Sequence, residues 1–284
     1  MIFALDILGT SSSGNCALLR TKSGIFLIDA GFSGKKIIER LSGFDISLFQ
    51  IKGVFLTHEH SDHSCGIRGL INNHPKLAIY TTYSTAKSIQ DKLNREANWK
   101  IFTANTQFYI DELLVKSFSI PHDAEDPVGF YFNWGERDLF NLYTSLAWIT
   151  DLGHTNEQIL KNVIDADILV LESNYDEELL ESDQSRPQYI KDRTFGRHGH
   201  LSNSQAYQFL QNHYQAKWKK VYLAHLSKDC NSLGAILRTF LKRKEKNFFP
   251  FTLEIYDPLN DILVNISDLK KHHTLYNEKE LPTH

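Results

Sequence analysis

Between Thr57 and His63 the chain reads Thr-His-Glu-His-Ser-Asp-His, which packs three imidazoles and a carboxylate into six consecutive positions. The run directly follows Ile51-Lys52-Gly53-Val54-Phe55-Leu56, an apolar stretch of the kind that forms a short buried strand. The cluster is therefore expected where a strand ends and a loop begins, on a rigid base open to solvent. Imidazole and carboxylate together suit Zn²⁺, Mn²⁺ or Fe²⁺ and are a poor match for Ca²⁺, which prefers an all-oxygen shell. Alternate side chains of an extended segment share a face, so His58 and His60 can approach one ion together. Asp62 and His63, where the chain turns, can address a second ion nearby. The competing reading is a polar loop that happens to be rich in His; it supplies no reason for the distant partners described next.

Three later segments place metal-binding residue types at the ends of predicted strands. His122 follows the strand Leu113 to Ile120 and Pro121; Asp151 ends Ser145 to Thr150; His225 ends Val221 to Ala224. Each alone would be an ordinary loop residue. Jointly with the first cluster they complete two shells.

The rest of the chain alternates short apolar runs with helical patterns. Strands are expected at Phe3 to Leu8, Cys16 to Arg20 and Ile25 to Ile28, then from Ile101 to Ile149, and at Ile168 to Leu171, Phe251 to Ile255 and Asp261 to Val264. Helices are expected from Ser33 to Leu41, after the histidine cluster up to Asn73, from Ser84 to Leu93, and from Asn231 to Lys244. Two more open on capping-box spacing, at Thr155-Asn156-Glu157-Gln158 and at Ser202-Asn203-Ser204-Gln205. Strands with helices between them, twice over, fit two sheets packed face to face and covered outside by helices. With 42% hydrophobic and 12% aromatic residues, the 284-residue chain can fill such a core. No Pro/Gly/Ser-rich linker divides it, so one domain is expected over 1–266, followed by a polar tail over 267–284.

A net charge of −3 provides no global field for nucleic acid, so any such binding must use local patches. Three widely spaced cysteines, Cys16, Cys65 and Cys230, argue against a disulfide framework and for a reducing compartment. Cys65, close to the cluster, could be a ligand, although a small buried packing residue is the simpler reading. No segment approaches the roughly 18 apolar residues of a membrane span, and the first residues do not form a signal peptide. A cytoplasmic protein without membrane contact is expected.

With these segments in place the chain, from about Phe3 to Val264, resembles the metallo-β-lactamase fold superfamily. The fold so implied is an α/β four-layer αββα sandwich with the metal site at the edge of the two sheets. The resemblance implies that Asp29, in Phe26-Leu27-Ile28-Asp29-Ala30-Gly31, supports the metal loop without binding metal. It implies His58, His60 and His122 on one divalent ion, with Asp62, His63 and His225 on the other and Asp151 bridging them. Several loops are also similar to the YycJ/WalJ group, associated with 5′→3′ exonuclease activity on DNA: Gly9 to Asn15, Pro121 to Ala124 with Asp126 to Gly129, Leu171 to Asn174, Gly199 to Asn203, and His225-Leu226-Ser227.

The function so implied is hydrolysis of phosphodiesters in nucleic acid, DNA before RNA, with two divalent ions, Zn²⁺ or Mn²⁺ and Fe²⁺ also compatible. Asp62 or Asp151 would orient the nucleophile. His200, before a predicted helix N-terminus, is the candidate proton donor or phosphate ligand, or else a helix-entry residue in a hydrogen bond. The loop of Ser12, Ser13 and Asn15 could offer donors to phosphate or be a plain turn, and Ser227 belongs to the same candidate substrate set. Arg186, Lys191, Arg193 and Arg197, interleaved with Tyr189 and Phe195, suit a single strand with stacked bases; a solvated face is the alternative. Rival readings are a thioesterase or lactonase on the same metals, an RNA-processing nuclease, and a non-hydrolytic di-iron protein. Oligomeric state is not legible.

Overall fold

A computed structural model describes residues 4–135, 143–241 and 249–266. The first half carries β1 (Ala4–Ser11), β2 (Gly14–Thr21), β3 (Gly24–Ile28), α1 (Gly34–Ser42), β4 (Ile51–Phe55), α2 (Ser61–Ser64), α3 (Ile67–Asn73), β5 (Ala78–Thr82), α4 (Tyr83–Gln90) and β6 (Asn98–Phe102). Then follow β7 (Gln107–Ile110), β8 (Leu113–Ser119), β9 (Val128–Asn133), β10 (Ser145–Ile149), α5 (Glu157–Val163), β11 (Ile168–Glu172), α6 (Glu177–Ser182), α7 (Gln188–Phe195), α8 (Asn203–Asn212), β12 (Lys220–Ala224), α9 (Leu233–Leu241), β13 (Thr252–Asp257) and β14 (Ile262–Asn265).

Among the described residues these strands form two sheets. The first is six-stranded in the order β1-β2-β3-β4-β5-β6, and the second eight-stranded in the order β14-β13-β12-β11-β10-β9-β8-β7. In the first, β3 through β6 run parallel; in the second, β10 through β13 do. Parallel strands buried on both faces read as continuous apolar runs, which is why β11 (Ile-Leu-Val-Leu-Glu) is buried along its whole length.

Alternation along each strand sorts its side chains into layers. Ala17, Leu19, Phe26, Ile28 and Phe55 face inward and meet Phe130, Phe132, Trp148 and Val170 of the other sheet. The Phe55 ring lies 4.9 Å from that of Phe132 and 5.7 Å from that of Phe130, so truncating it to Ala would cost about 3–5 kcal/mol. Leu18, Leu27 and Val54 point outward onto Ile37 and Leu41 of α1 and Ile67 and Leu70 of α3. On the far side Leu169, Leu171, Val221 and Leu223 pack against Ile159 of α5, Leu210 of α8 and Ile236 of α9. The result is helix, sheet, sheet, helix, the expected four layers. No helix among the described residues is long and apolar enough to cross a membrane.

Several boundaries differ from the sequence expectation. Strand β5 had no counterpart in it, because Ala78-Ile79-Tyr80-Thr81-Thr82 is short and passes directly into α4. The Thr155 box shifts by one: Asn156 Oδ1 accepts from Ile159 N at 2.9 Å, making Asn156 the cap. The Ser202 box forms as expected, with Gln205 Oε1 accepting from Ser202 N and Ser202 Oγ accepting from Gln205 N. Part of the Asn231 to Lys244 helix and the tail over 267–284 lie outside the described residues.

Candidate metal centre and active-site pocket

The site residues stand at or just beyond the C-terminal ends of strands, except His200, which lies between α7 and α8; Asp62 and His63 lie in the short helix α2. Asp29 comes after β3, the 57–63 run after β4, His122 after β8, Asp151 after β10, and His225 after β12, while Glu172 is the last residue of β11. Asp29, Asp151 and His225 take left-handed backbone, φ 60°, 58° and 58°, a conformation costing a non-glycine residue on the order of 1 kcal/mol or more. Those turns swing three functional side chains off three strand ends.

The donor atoms gather into clusters. His58, His60 and His122 form one; Asp62, His63, Asp151 and His225 form another; Asp151, Glu172, His200 and His225 form a third, each with its donor atoms within 4.8 Å of one another. Every buried ring is oriented through its rear nitrogen. His63 Nδ1 donates to Asp29 Oδ2 at 2.8 Å, His122 Nδ1 to the Gly199 carbonyl at 3.2 Å, and His225 Nδ1 to Glu172 Oε1 at 2.7 Å. His58 Nδ1 lies 3.0 Å from Thr57 Oγ1. The remaining nitrogens therefore face a common centre, the arrangement by which proteins fix metal-binding imidazoles. Asp29 also accepts from Thr57 N at 2.9 Å, so this fully buried carboxylate ties the loop to β3, the supporting role expected of it.

The donor set fits divalent ions. His58 Nε2 is buried without a hydrogen-bond partner, and Asp151 Oδ2 lies 2.9 Å from His63 Nε2 without hydrogen-bond geometry. Both atoms aim at a third body. Burial, with His63 nearby, holds His58 well below the usual imidazole range, and burial likewise lowers His122, leaving both neutral, the form that could bind an ion. Burial disfavours charge on His63 too, yet Asp151, Asp29 and Asp62 together raise it; the same contest, won by Asp151, Asp62 and Glu172, pushes His225 up to about 10. Burial would raise Asp151, but His225 and His63 hold it well below the carboxylate range. His58, His60 and His122 would hold one ion, and Asp62, His63 and His225 the other, with Asp151 between them.

A pocket of about 320 Å³ opens onto this cluster, lined by Ser12, Ser61, Asp123, Ile190, Arg193 and Thr194 together with His60, Asp62, His122, Asp151, His225 and His200. His200 is the best-placed uncommitted imidazole there. Its Nδ1 donates to Glu172 Oε1 at 2.8 Å, and its side chain is one-quarter exposed. Glu172 is fully buried, also accepts from Leu152 N and Leu201 N, and joins His200 to His225 through one carboxylate.

Other sequence expectations fare differently. Ser12 reaches the pocket; Ser13 is exposed and bonded to Ser11. Asn15 is completely buried, its amide donating to the Ser11 and Asp62 carbonyls, so it braces the loop and has no face for substrate. Ser227 is buried as well and accepts from Cys230 N. Arg193 lines the pocket and pairs with Asp123; Arg197 is exposed outside the lining. Lys191 is buried, donating to the Glu181 carbonyl, and Arg186 is taken up by Asp183 and Asp229. Cys65 is exposed, contrary to its reading as a packing residue, and joins no cluster. Asp123 and Glu172 had no assigned role in the sequence. A charged residue closing an otherwise apolar strand was the available signal for Glu172.

The model of the β-lactamase superfamily domain matches residues 25–226, the span holding every one of these ligands. The chain belongs to that superfamily. Among superfamily relatives, it is 30% identical over 247 residues to the exodeoxyribonuclease YycJ of Bacillus anthracis, covering 86% of this chain and 90% of that protein. It is 30% identical over 233 residues to the exodeoxyribonuclease WalJ of Streptococcus pneumoniae, covering 81% and 83%. The crystal structure of the metallo-β-lactamase fold protein YhfI of Bacillus subtilis superposes with a TM-score of 0.68 at 15% identity, covering 92% of this chain and 98% of that one. The protein is thus an enzyme of a metal-dependent hydrolase superfamily, with the metallo-β-lactamase fold.

Proposed function

We propose that the protein is a two-metal phosphodiesterase that removes nucleotides from the 5′ end of DNA. When bound, two divalent ions neutralise charge on the phosphoryl oxygens and lower the pKa of attacking water. The chain's own residues supply the rest. Asp62, one-quarter exposed beside the cluster, orients the nucleophile, and Asp151 holds the two ligand sets in register. His200, steered through Nδ1 by Glu172, turns Nε2 to the pocket and protonates the departing sugar oxygen. Arg193 meets a non-bridging oxygen or an adjacent phosphate.

The single observation carrying this reading is the Glu172–His200 pair against the His/Asp cluster, which supports a proton donor for a poor leaving group. The naming of two relatives as exodeoxyribonucleases supports DNA as substrate. Zn²⁺, Mn²⁺ and Fe²⁺ all suit the ligands, so the ion is set by availability as much as by affinity. Unpaired cysteines at 16, 65 and 230 agree with work in the cytoplasm.

The test is degradation of 5′-labelled and 3′-labelled single- and double-stranded DNA, and matched RNA, with added Mn²⁺ or Zn²⁺ and with chelator. Release of labelled mononucleotide from the 5′ end, absent with chelator and in His58→Ala and Asp62→Ala, supports the proposal. Intact DNA and RNA at full metal occupancy overturn it and move the weight to thioester and lactone substrates.

A further inference from the structure

Of the basic and aromatic residues between β11 and α8, most are occupied. Arg186 and Lys191 are spent on the protein itself, and Phe195 packs edge-on against Tyr175 with ring centroids 5.3 Å apart. Two residues of α7 remain, one in the pocket wall and one beside it. Arg193 contacts Asp123 Oδ2 through Nε alone. Its two terminal nitrogens have no partner among the described residues, on a side chain that is 56% exposed. A carboxylate behind Nε fixes the plane of the guanidinium and leaves the outer fork free for an anion.

Tyr189 is the second. It lies four residues before Arg193, hence on the same strip of the helix, about 6 Å away along the axis. It is 69% exposed, and no ring contact or hydrogen bond engages it among the described residues. Nearby Asp192 is tied to the Gln188 side chain. Ile190, Arg193 and Thr194 form the pocket wall, and Tyr189 is the chain neighbour of Ile190 on the same helix, just outside that lining. A large exposed ring beside a guanidinium oriented through Nε, its outer fork open, has the two elements of a single-strand grip, a stacking surface and a phosphate contact.

We propose that Tyr189 stacks on the base of the strand entering the pocket while Arg193 holds its phosphate, so that the enzyme grips an unpaired end. This rests on the nuclease reading. A base in a duplex keeps its own stacking and pairing partners, so the grip selects single-stranded or frayed termini over blunt ones.

The test is fluorescence anisotropy of the full, Mn²⁺-loaded chain on single-stranded DNA with an uncleavable phosphorothioate backbone. A parallel oligonucleotide carries 2-aminopurine at the end, another an abasic site there, and a third is blunt duplex. Tyr189→Ala should weaken binding to the ordinary strand by about tenfold and abolish quenching of 2-aminopurine. It should leave the abasic strand and the blunt duplex unchanged, and Tyr189→Trp should restore both signals. Arg193→Ala should weaken the ordinary and abasic strands alike. Binding and quenching by Tyr189→Ala equal to wild type would overturn the grip while leaving cleavage by wild type, and with it the nuclease reading, in place. A wild-type protein that neither binds nor cleaves DNA would overturn both.

Discussion

Glu172 Oε1 sits 2.8 Å from His200 Nδ1, and the same oxygen sits 2.7 Å from His225 Nδ1. One buried carboxylate thus orients the candidate proton donor and a candidate metal ligand together. The burial that would raise Glu172 is outweighed by His200 and His225, which hold it lowered and therefore charged. Glu172→Gln should accordingly reduce both kcat and metal affinity, the latter by about 10–100-fold. His200→Ala should reduce kcat by about 10²-fold or more while metal content stays full. Metal analysis beside single-turnover cleavage of DNA separates the two; loss of metal in His200→Ala would contradict the division of labour.

Asp29 and His63 are both completely buried. Asp29→Ala strands the Thr57 amide and the His63 ring without their acceptor and should destabilise the fold by about 3–5 kcal/mol. Urea denaturation of the metal-free proteins reads this directly. A change below about 1 kcal/mol would mean the loop is held by other contacts.

Gly31 packs where a Cβ would lie 1.6 Å from the Asp62 carbonyl oxygen. That obstacle is backbone, so Gly31→Ala must displace the 57–63 loop itself. Occupancy of the Asp62/His63/His225 cluster is expected to drop sharply, with His58, His60 and His122 less affected. Metal stoichiometry falling from two toward one is the diagnostic result.

Protons and metal compete at the inner cluster. In the metal-free protein His225 is raised from 6.5 to about 10 and His63 is raised as well, so at neutral pH both hold protons that an arriving ion must displace. Affinity should fall as pH falls, and calorimetry in buffers of different ionisation enthalpy should register proton release. Stability of the metal-free protein takes the opposite sense on this flank. A raised histidine contributes fully below about pH 6.5 and loses that contribution as pH rises through about 10. Melting of the metal-free protein should decline across that window.

The candidate ligands were legible because their chemistry is concentrated. Three histidines within six positions after an apolar run have few structural explanations, and His122, Asp151 and His225 recur at strand ends in the same way. The layers were legible from short apolar runs alternating with helical patterns and capping boxes. Asn15 and Ser227 misled because a polar residue in a Gly/Ser loop looks available; only packing reveals that their groups are consumed internally. Glu172 went unassigned because one acid at the end of a strand carries no spacing signal. Helix α7 has no counterpart in the sequence expectation, since the side chains it buries are Lys191 and Thr194 and no apolar stripe marks its face. The left-handed backbone of Asp151 and His225 is invisible in residue type, as neither is glycine.

The inner cluster also ties together distant moments in the making of the chain. Thr10, in β1, accepts a hydrogen bond from His225 N across 215 positions. His225 is the last of the candidate ligands to be translated. A nascent or prematurely terminated chain holds the first histidine cluster and its supporting Asp29, yet lacks the group that completes the pair. Both sheets must therefore be in place before the Asp62, His63, Asp151 and His225 donors can gather, so no fragment ending before β12 carries the complete candidate centre.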